Sequence, residues 1–261
     1  MRLIDLSSPV EINQGEPIDV KIERTDYAEG AKKICREAKE LLNIDDPSFH
    51  ADVFPDGLFI SNEVITLGTH VGTHVDAPSH FGPLCCENRA KTIDECSLEW
   101  FYGKAVVLDL KHKQSGEKIE IEDIVSSLSK IKYEINKGDI VLVNTGTYHK
   151  WGTKEYFSNA PGMSVEATVF LIEQGVKLIG IDTYGFDLPF PDMINKFIKT
   201  GNANCLWPNH MLGRQMEYVH IERLHNLDAL DKPFGFTFCG FPIKLKGLDA
   251  SWIRAVAIYD E

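Results

Sequence analysis

The segment 68–81 concentrates side chains that bind metal ions. Within eleven positions it holds His70, His74, Asp76 and His80, which are three of the nine histidines of this 261-residue chain and one carboxylate. Neutral imidazole and carboxylate form a ligand set suited to zinc, manganese or iron. A divalent cation can generate hydroxide at neutral pH and polarise a carbonyl group, which is sufficient chemistry for a hydrolase.

The even spacing of these residues excludes a straight strand as the way to gather them. A strand would spread His70 and Asp76 over roughly 20 Å at about 3.3 Å per residue, whereas zinc ligands lie about 2.0–2.2 Å from the ion. We therefore predict a helical turn that places His70 and His74 side by side, with a bend before Pro78 and a close backbone approach at Gly72. The alternative is a set of histidines on a loop or in core hydrogen bonds, which the density of ligand types disfavours.

The motif resembles the signature of a known enzyme family. Residues 70–81 read HVGTHVDAPSHF, which is similar, without a gap, to the signature of the cyclase family of metal-dependent hydrolases, a family that includes bacterial kynurenine formamidase and isatin hydrolase. Further blocks similar to family landmarks follow the family order at residues 4–7, 105–110, 180–183 and 221–227. The resemblance implies a single domain over 1–261 with an α/β fold, in which helices flank a mixed, partly barrel-like β-sheet of the swivelling β/β/α type.

The resemblance also implies a centre for one or two divalent ions, zinc or manganese. The first ion would be bound by His70, His74 and Asp76. Asp76 would bridge to a second ion, which His210 and Glu222 would also bind. His210 and Glu222 are twelve positions apart in this chain, as the formamidase pattern of the family expects.

The implied reaction is hydrolysis of a carbon–nitrogen bond other than a peptide bond, or of an ester, in a small-molecule substrate. The resemblance gives His80 the role of general acid and base. Family formamidases carry a tryptophan near the amino terminus, whereas residues 15–20 contain none. This difference and a longer insert between Gly146 and Ile181 favour a lactam or lactone over an N-formyl amide such as formylkynurenine; a kynurenine formamidase or a natural-product cyclase is the alternative.

Several residues near these blocks have two interpretations. On a strand, His220 and Glu222 project to the same face, so His220 is a substitute ligand or a supporting residue. Asp182 either orients a metal-bound histidine or caps its own loop. Trp207 and Phe186 are candidates for a substrate-binding pocket, although aromatic residues more often pack in a core.

Alternating strand and helix patterns place the motif in an α/β chain. We predict amphipathic helices over 29–42 and 164–174, the latter capped by Ser164 and stopped by Gly175. Predicted strands cover residues 58–60, 63–67, 139–144, 176–181, 234–245 and 253–258.

The composition is that of an enzyme with a large core. The chain is 43% hydrophobic and has a net charge of −12, which argues against nucleic acid and acidic membrane surfaces as partners. No apolar run reaches the ~20 residues that span a bilayer, and Asp5 interrupts any signal peptide. We expect a cytoplasmic protein with reduced cysteines that forms a homodimer or a higher homo-oligomer.

Two functions of other classes use the same residues. A non-catalytic, metal-dependent protein that binds a small molecule would surround its cation completely with protein ligands, whereas an enzyme would keep one position open. A structural zinc domain is the weaker alternative, because such sites are rich in cysteine.

Overall fold

The computed structural model describes residues 1–12 and 19–260. The sequence stretch 15–20 lacks the tryptophan that family formamidases carry, and its residues 15–18 lie outside the described residues. Contacts divide the chain into two compact units, Pro17–Gly68 and the remainder, and each unit is described by itself. The single domain expected over 1–261 stays a prediction.

The described residues form six helices and fifteen strands. The helices are α1 (Tyr27–Leu42), α2 (Pro78–Phe81), α3 (Ile121–Ile131), α4 (Val165–Glu173), α5 (Phe190–Thr200) and α6 (Pro208–Leu212). The strands are β1 (Arg2–Asp5), β2 (Lys21–Thr25), β3 (Asn62–Thr66), β4 (His74–Asp76), β5 (Leu84–Cys85), β6 (Asn88–Arg89), β7 (Tyr102–Asp109), β8 (Lys118–Ile119), β9 (Ile140–Asn144), β10 (Gly162–Met163), β11 (Leu178–Ile181), β12 (Val219–Glu222), β13 (Phe234–Cys239), β14 (Ala250–Trp252) and β15 (Val256–Tyr259). No helix in this part of the chain is both long and apolar enough to cross a bilayer.

The larger unit is built on one curled, nine-stranded sheet with the order β1-β15-β13-β7-β9-β11-β12-β4-β14. The four strands β7, β9, β11 and β12 run parallel, and the strands on both sides of them run antiparallel to their neighbours. Helices flank the sheet, so the predicted mixed, partly barrel-like architecture is confirmed. Because parallel strands end at the same edge, the loops after β9, β11 and β12 meet there.

Successive side chains along a strand point to opposite faces of this sheet, so the buried core is divided into one cluster on each face. Val106 and Leu108 pack in one buried cluster, with residues of α3 and α4, whereas Ala105 and Val107 pack in the other. Every residue of β9 is buried, as expected for a strand covered on both faces. Leucine, isoleucine and valine at alternate positions therefore fix the orientation of each strand.

The local sequence signals for the second predicted helix hold in the structure. Helix α4 begins after Ser164, whose side chain accepts a hydrogen bond from the amide of Ala167. The chain then turns through Gly175 at a φ of 89° and enters β11. The strands predicted over 139–144 and 176–181 are confirmed as β9 and β11, and the carboxyl-terminal strand pattern corresponds to β13 and β15.

The smaller unit contains α1 and the β2–β3 hairpin. Asp26 caps α1 by accepting from the amide of Glu29, and α1 ends at Asn43 in the left-handed conformation. The predicted helix is thus confirmed, as is the strand over 63–67. The prediction of a strand over residues 58–60 is wrong. These residues pair with no strand in the described part of the chain, and the amide of Phe59 donates instead to the carbonyl of Tyr27.

Gly162 is a position in the larger unit where an added side chain would collide with backbone atoms. A Cβ atom there would lie 2.4 Å from the carbonyl carbon of Asp187 and from the amide nitrogen of Leu188. We expect Gly162→Ala to lower the free energy of unfolding by about 1–3 kcal/mol, because backbone atoms cannot give way as a flexible side chain does. Chemical denaturation measures this loss. Gly103→Ala is the control, since its Cβ would meet nothing closer than 3.7 Å; equal stability of the two variants would contradict the prediction.

Candidate metal centre

The motif begins with an irregular turn and not with the helical turn predicted from its spacing. Residues 69–70 form a turn and residues 71–73 a bend, with Gly72 at a φ of 70°, and the chain becomes extended at His74. The helical prediction is wrong because β4 pairs on both sides, with β12 and with β14, which requires an extended backbone. The predicted proximity of His70 and His74 holds nevertheless, with ring centroids 5.0 Å apart.

The strand pairing of β4 with β12 brings distant residues together. His220 lies directly opposite Asp76, and Glu222 lies directly opposite His74. Directly opposite residues project to the same face of a sheet, with Cβ atoms about 4.5–5.5 Å apart. Each of the two strands contributes one histidine and one carboxylate to this ladder. The pairing therefore brings together two segments that are far apart in the sequence, with 144 positions between Asp76 and His220.

His210 reaches the same face from helix α6. Pro208 occupies the first turn of this helix, where its missing N–H costs nothing. The carboxylate of Asp187 lies 2.7 Å from His210 Nδ1 and also accepts from the backbone and side-chain amides of Asn209. This anchoring turns Nε2 of His210 towards the carboxylates on the sheet.

The two oxygens of Asp76 face two different groups of histidines. Oδ1 lies 2.8 Å from His70 Nδ1 and 3.4 Å from His74 Nε2. Oδ2 lies 2.9 Å from His220 Nε2 and 3.9 Å from His210 Nε2. Asp76 therefore presents one oxygen to each group of histidines, and its role as a bridge between two ions stays a prediction.

Glu222 divides its oxygens in the same way. Oε2 lies 3.5 Å from His74 Nε2, and Oε1 lies 3.8 Å from His210 Nε2. The backbone amide of Phe186 donates to Oε1 and fixes the rotamer. Ligand atoms of Asp76, His210, His220 and Glu222 lie within 4.8 Å of one another, and those of His70, Asp76 and His80 form a second such group.

Both carboxylates at this centre are buried and ionised. Burial and the charge of Asp76 would raise the pKa of Glu222, but the hydrogen bond with His220 and the proximity of His220 and His74 outweigh them and lower that pKa to about 2. Burial opposes ionisation of Asp76 as well, yet the surrounding histidines hold its pKa well below the usual range. Two negative charges inside a protein need compensating positive charge.

The state of His74 matches that of a ligand for a cation. Its Nδ1 donates to the carbonyl of Gly72 at 2.8 Å, so its Nε2 carries the lone pair. Burial lowers the pKa of His74 to about 4, which keeps the ring neutral. Nε2 is buried and lacks a hydrogen-bond partner among residues 1–12 and 19–260. A lone pair aimed at carboxylate oxygens is unfavourable unless a cation lies between them, so the residues present fit a divalent metal ion.

His70 supplies positive charge at the other side of Asp76. Burial would lower the pKa of His70, but its contacts with Asp249 and Asp76 outweigh burial and raise the pKa to about 10. A metal ion and a proton compete for an imidazole nitrogen. Hence His70 must lose this proton before it can act as the ligand that the sequence predicts.

His80 lies at the edge of the centre on α2. Its Nδ1 is 3.2 Å from Asp249 Oδ2, and its Nε2 is 3.9 Å from Asp76 Oδ2. The side chain of His80 is 28% exposed, whereas that of Asp76 is 1% exposed. His80 is therefore far more accessible than Asp76 and the fully buried His74, and about as exposed as His70 at 25%.

The candidates for substrate binding lie in different surroundings. Phe186 is fully buried and stacks on His220 with centroids 4.4 Å apart, so it packs within the core beneath the site. Trp207 is partly exposed and packs edge-on against Phe190. Asp182 accepts hydrogen bonds from Thr145 and from the amide of Tyr148, which is the loop-capping alternative.

Sequence reasoning missed two acidic residues that orient histidines. Asp187 binds His210, and Asp249 lies between His70 and His80. The pKa of Asp249 is held well below its usual range by hydrogen bonds from these two histidines. The position of Asp187 in the loop after a predicted strand was the available signal, but nothing in the sequence distinguished it from Asp182.

Comparison with known proteins shows which family the chain belongs to. The Cyclase family model matches residues 4–188. The chain belongs to the cyclase family. The family resemblance inferred from the motif is therefore confirmed.

Curated relatives within this family include formamidases. The chain is 28% identical over 196 residues to the kynurenine formamidase of Bacillus thuringiensis (strain Al Hakam), covering 74% of this chain and 77% of that protein. It is 29% identical over 206 residues to an uncharacterised protein of Methanocaldococcus jannaschii, covering 77% and 83%. These matches extend the likeness well beyond the motif.

Solved structures share the fold of the cyclase-family chain. An isatin hydrolase bound to the product analogue thioisatinate has a TM-score of 0.72 at 20% identity, covering 99% of this chain and 92% of that one. Isatin hydrolase A from Ralstonia solanacearum has a TM-score of 0.71 at 22% identity, with the same coverage. A structure described as a potential metal-dependent hydrolase with cyclase activity has a TM-score of 0.59 at 20% identity, covering 100% and 98%.

The Asp187–His210 contact yields a test of the centre. We expect Asp187→Asn to weaken zinc affinity by roughly 10–100-fold, because His210 loses the partner that fixes its tautomer. Titration with zinc, followed by metal analysis, measures this effect. Asp182→Asn is the matched control: it changes a buried aspartate nearby that bonds to loop residues and should leave zinc affinity unchanged. If both variants behaved alike, His210 would not depend on Asp187.

Proposed function

We propose that this protein is a divalent-metal-dependent hydrolase that cleaves an amide or ester carbonyl of a small molecule. The observation that carries the proposal is the neutral, unpartnered Nε2 of His74, which is buried beside the ionised Asp76 and Glu222. Membership of the cyclase family and the formamidases among the relatives support it.

The proposed ligands are His70, His74 and Asp76 for one ion, and Asp76, His210 and Glu222 for a second. A divalent ion held by these residues would activate water for attack on a carbonyl and polarise that carbonyl. The chain's own part is to orient the ligands through Gly72 and through the other partners described above. Burial of the carboxylates beneath the histidine rings keeps the ligand oxygens out of water.

His80 is the proposed general acid and base. With Nδ1 held by Asp249, the ring presents Nε2 towards the centre. There it takes the proton of the attacking water and delivers it to the leaving nitrogen or oxygen. The His80 side chain is partly exposed, so a substrate can approach it, whereas His74 is fully buried.

The substrate class is an N-formyl amide, a lactam or a lactone, with zinc or manganese as the metal. The absence of a tryptophan in residues 15–20 favours a cyclic amide or ester. A kynurenine formamidase or a natural-product cyclase is the alternative within the family. A cytoplasmic location and a homo-oligomer belong to the same proposal.

A metal-dependent binding protein without catalysis is the alternative of another class. It would require a cation enclosed by protein ligands on every side. The partly exposed His80 beside the centre favours an enzyme over a binding protein, because a base that a substrate can approach is needed for catalysis and not for enclosing a cation.

The first test combines metal analysis with substrate assays. Protein purified without added metal should contain zinc or manganese and hydrolyse at least one of an N-formyl arylamine, a lactam and a lactone. A chelator should remove the activity, and the metal should restore it. His74→Ala should lose both metal and activity, whereas the exposed His112→Ala should retain both. Full metal content and full activity in His74→Ala would show that the site is wrongly assigned.

The second test separates His80 from the ligands. We expect His80→Ala to lower kcat by about 10²–10⁴ and to leave the metal content largely intact, because the residue transfers a proton and holds no ion. Steady-state kinetics and metal analysis of the same preparation measure both quantities. Parallel loss of metal and activity would make His80 a ligand, and an unchanged kcat would exclude both roles.

A further inference from the structure

His220 is held differently from the proposed ligands His74 and His210. Each of those two donates Nδ1 outward, His74 to the carbonyl of Gly72 and His210 to Asp187. This outward hydrogen bond fixes the Nε2 lone pair towards the centre and is usual for histidines that bind metal. His220 Nδ1, in contrast, is buried and has no hydrogen-bond partner within the described ranges 1–12 and 19–260.

Aromatic rings surround the imidazole of His220. Phe186 stacks flat on His220, with an interplanar angle of 4°, and the ring centroids of Phe81 and Tyr218 lie 5.1 and 5.7 Å away. A proton on Nδ1 would be a buried donor without an acceptor. A buried N–H group left unpaired is more unfavourable than an unpaired acceptor of the same ring.

The opposite nitrogen faces a carboxylate. His220 Nε2 lies 2.9 Å from Asp76 Oδ2, across the directly opposed pair of β12 and β4. A proton on Nε2 completes a charge-assisted hydrogen bond, whereas a lone pair there would face a negative oxygen. The surroundings of both ring nitrogens therefore favour the tautomer of His220 that carries its proton on Nε2.

We infer that His220 is a positioning residue that donates Nε2–H to Asp76 and is not a ligand of the second ion. The inference rests on the proposed metal-dependent function. It leaves Asp76, His210 and Glu222 as the protein ligands of that ion, so that one position stays open, as in catalytic zinc sites. A fourth ligand from His220 would close the tetrahedron in the manner of a structural site.

Nuclear magnetic resonance of the zinc-loaded, nitrogen-15-labelled protein tests the tautomer directly. Long-range proton–nitrogen correlations identify which nitrogen of each imidazole carries the proton, and the spectrum of His220→Gln assigns the His220 signals. We expect protonated Nε2 and unprotonated Nδ1. Protonated Nδ1, with Nε2 at the chemical shift of a zinc-bound nitrogen, would overturn the inference. This measurement needs no variant to be active.

Zinc titration of variants provides an independent test. His220→Gln keeps an amide donor and should bind as many zinc ions per chain as the natural protein, with an affinity within a few-fold. His220→Leu should keep the number of ions and lose roughly 10–100-fold in affinity, as for an outer partner. The control His210→Gln should bind fewer ions.

Each outcome has a separate meaning. If His220→Gln lost a zinc ion as His210→Gln does, His220 would be a ligand and the inference would fail while the proposed function stood. If the natural protein bound no divalent ion, the proposed function itself would fail.

Discussion

Two buried carboxylates on adjacent strands are the constraint on which the centre depends. Asp76 and Glu222 are nearly inaccessible to solvent, and both are ionised. Like charges repel strongly where the effective dielectric constant is low, so their proximity is unstable without positive charge or hydrogen-bond donors. The histidines and the amide of Phe186 supply part of this compensation. The Nε2 lone pair of His74 faces oxygens of the same two carboxylates, and a cation between them would stabilise this arrangement further.

The sheet makes this arrangement rigid. β4 lies between β12 and β14, so Asp76 and His74 belong to a backbone paired on both sides. A shift of one residue in the register would turn every side chain to the other face and scatter the ligands. The burial of Val75 between the two ligand positions opposes such a shift, because its side chain fills the core on the opposite face. Apolar packing on one face therefore fixes the polar centre on the other.

The sequence predicts those features that depend on local physics. Helices α1 and α4 were predictable because capping residues and apolar periodicity act within a few positions. The turn before β4 was not, since the spacing of His70 and His74 fits a helix equally well until the pairing with β12 excludes one. Family resemblance alone associated His210 with the motif. Asp187 and Asp249 orient histidines through contacts that only the folded loops create, so no spacing in the sequence identified them.

The change from strand to helix at Ala77 explains how one short motif provides ligands and an accessible base. Continued extension would place residue 78 next on the ligand face, but that residue is a proline, and the backbone of Ala77 is extended before α2 begins. The helical turn swings His80 away from the ladder, while its Nε2 remains 3.9 Å from Asp76. His80 therefore lies close to the centre but is much less buried than His74 and Asp76. A histidine on the strand itself would be enclosed as His74 is, and a substrate proton would not reach it.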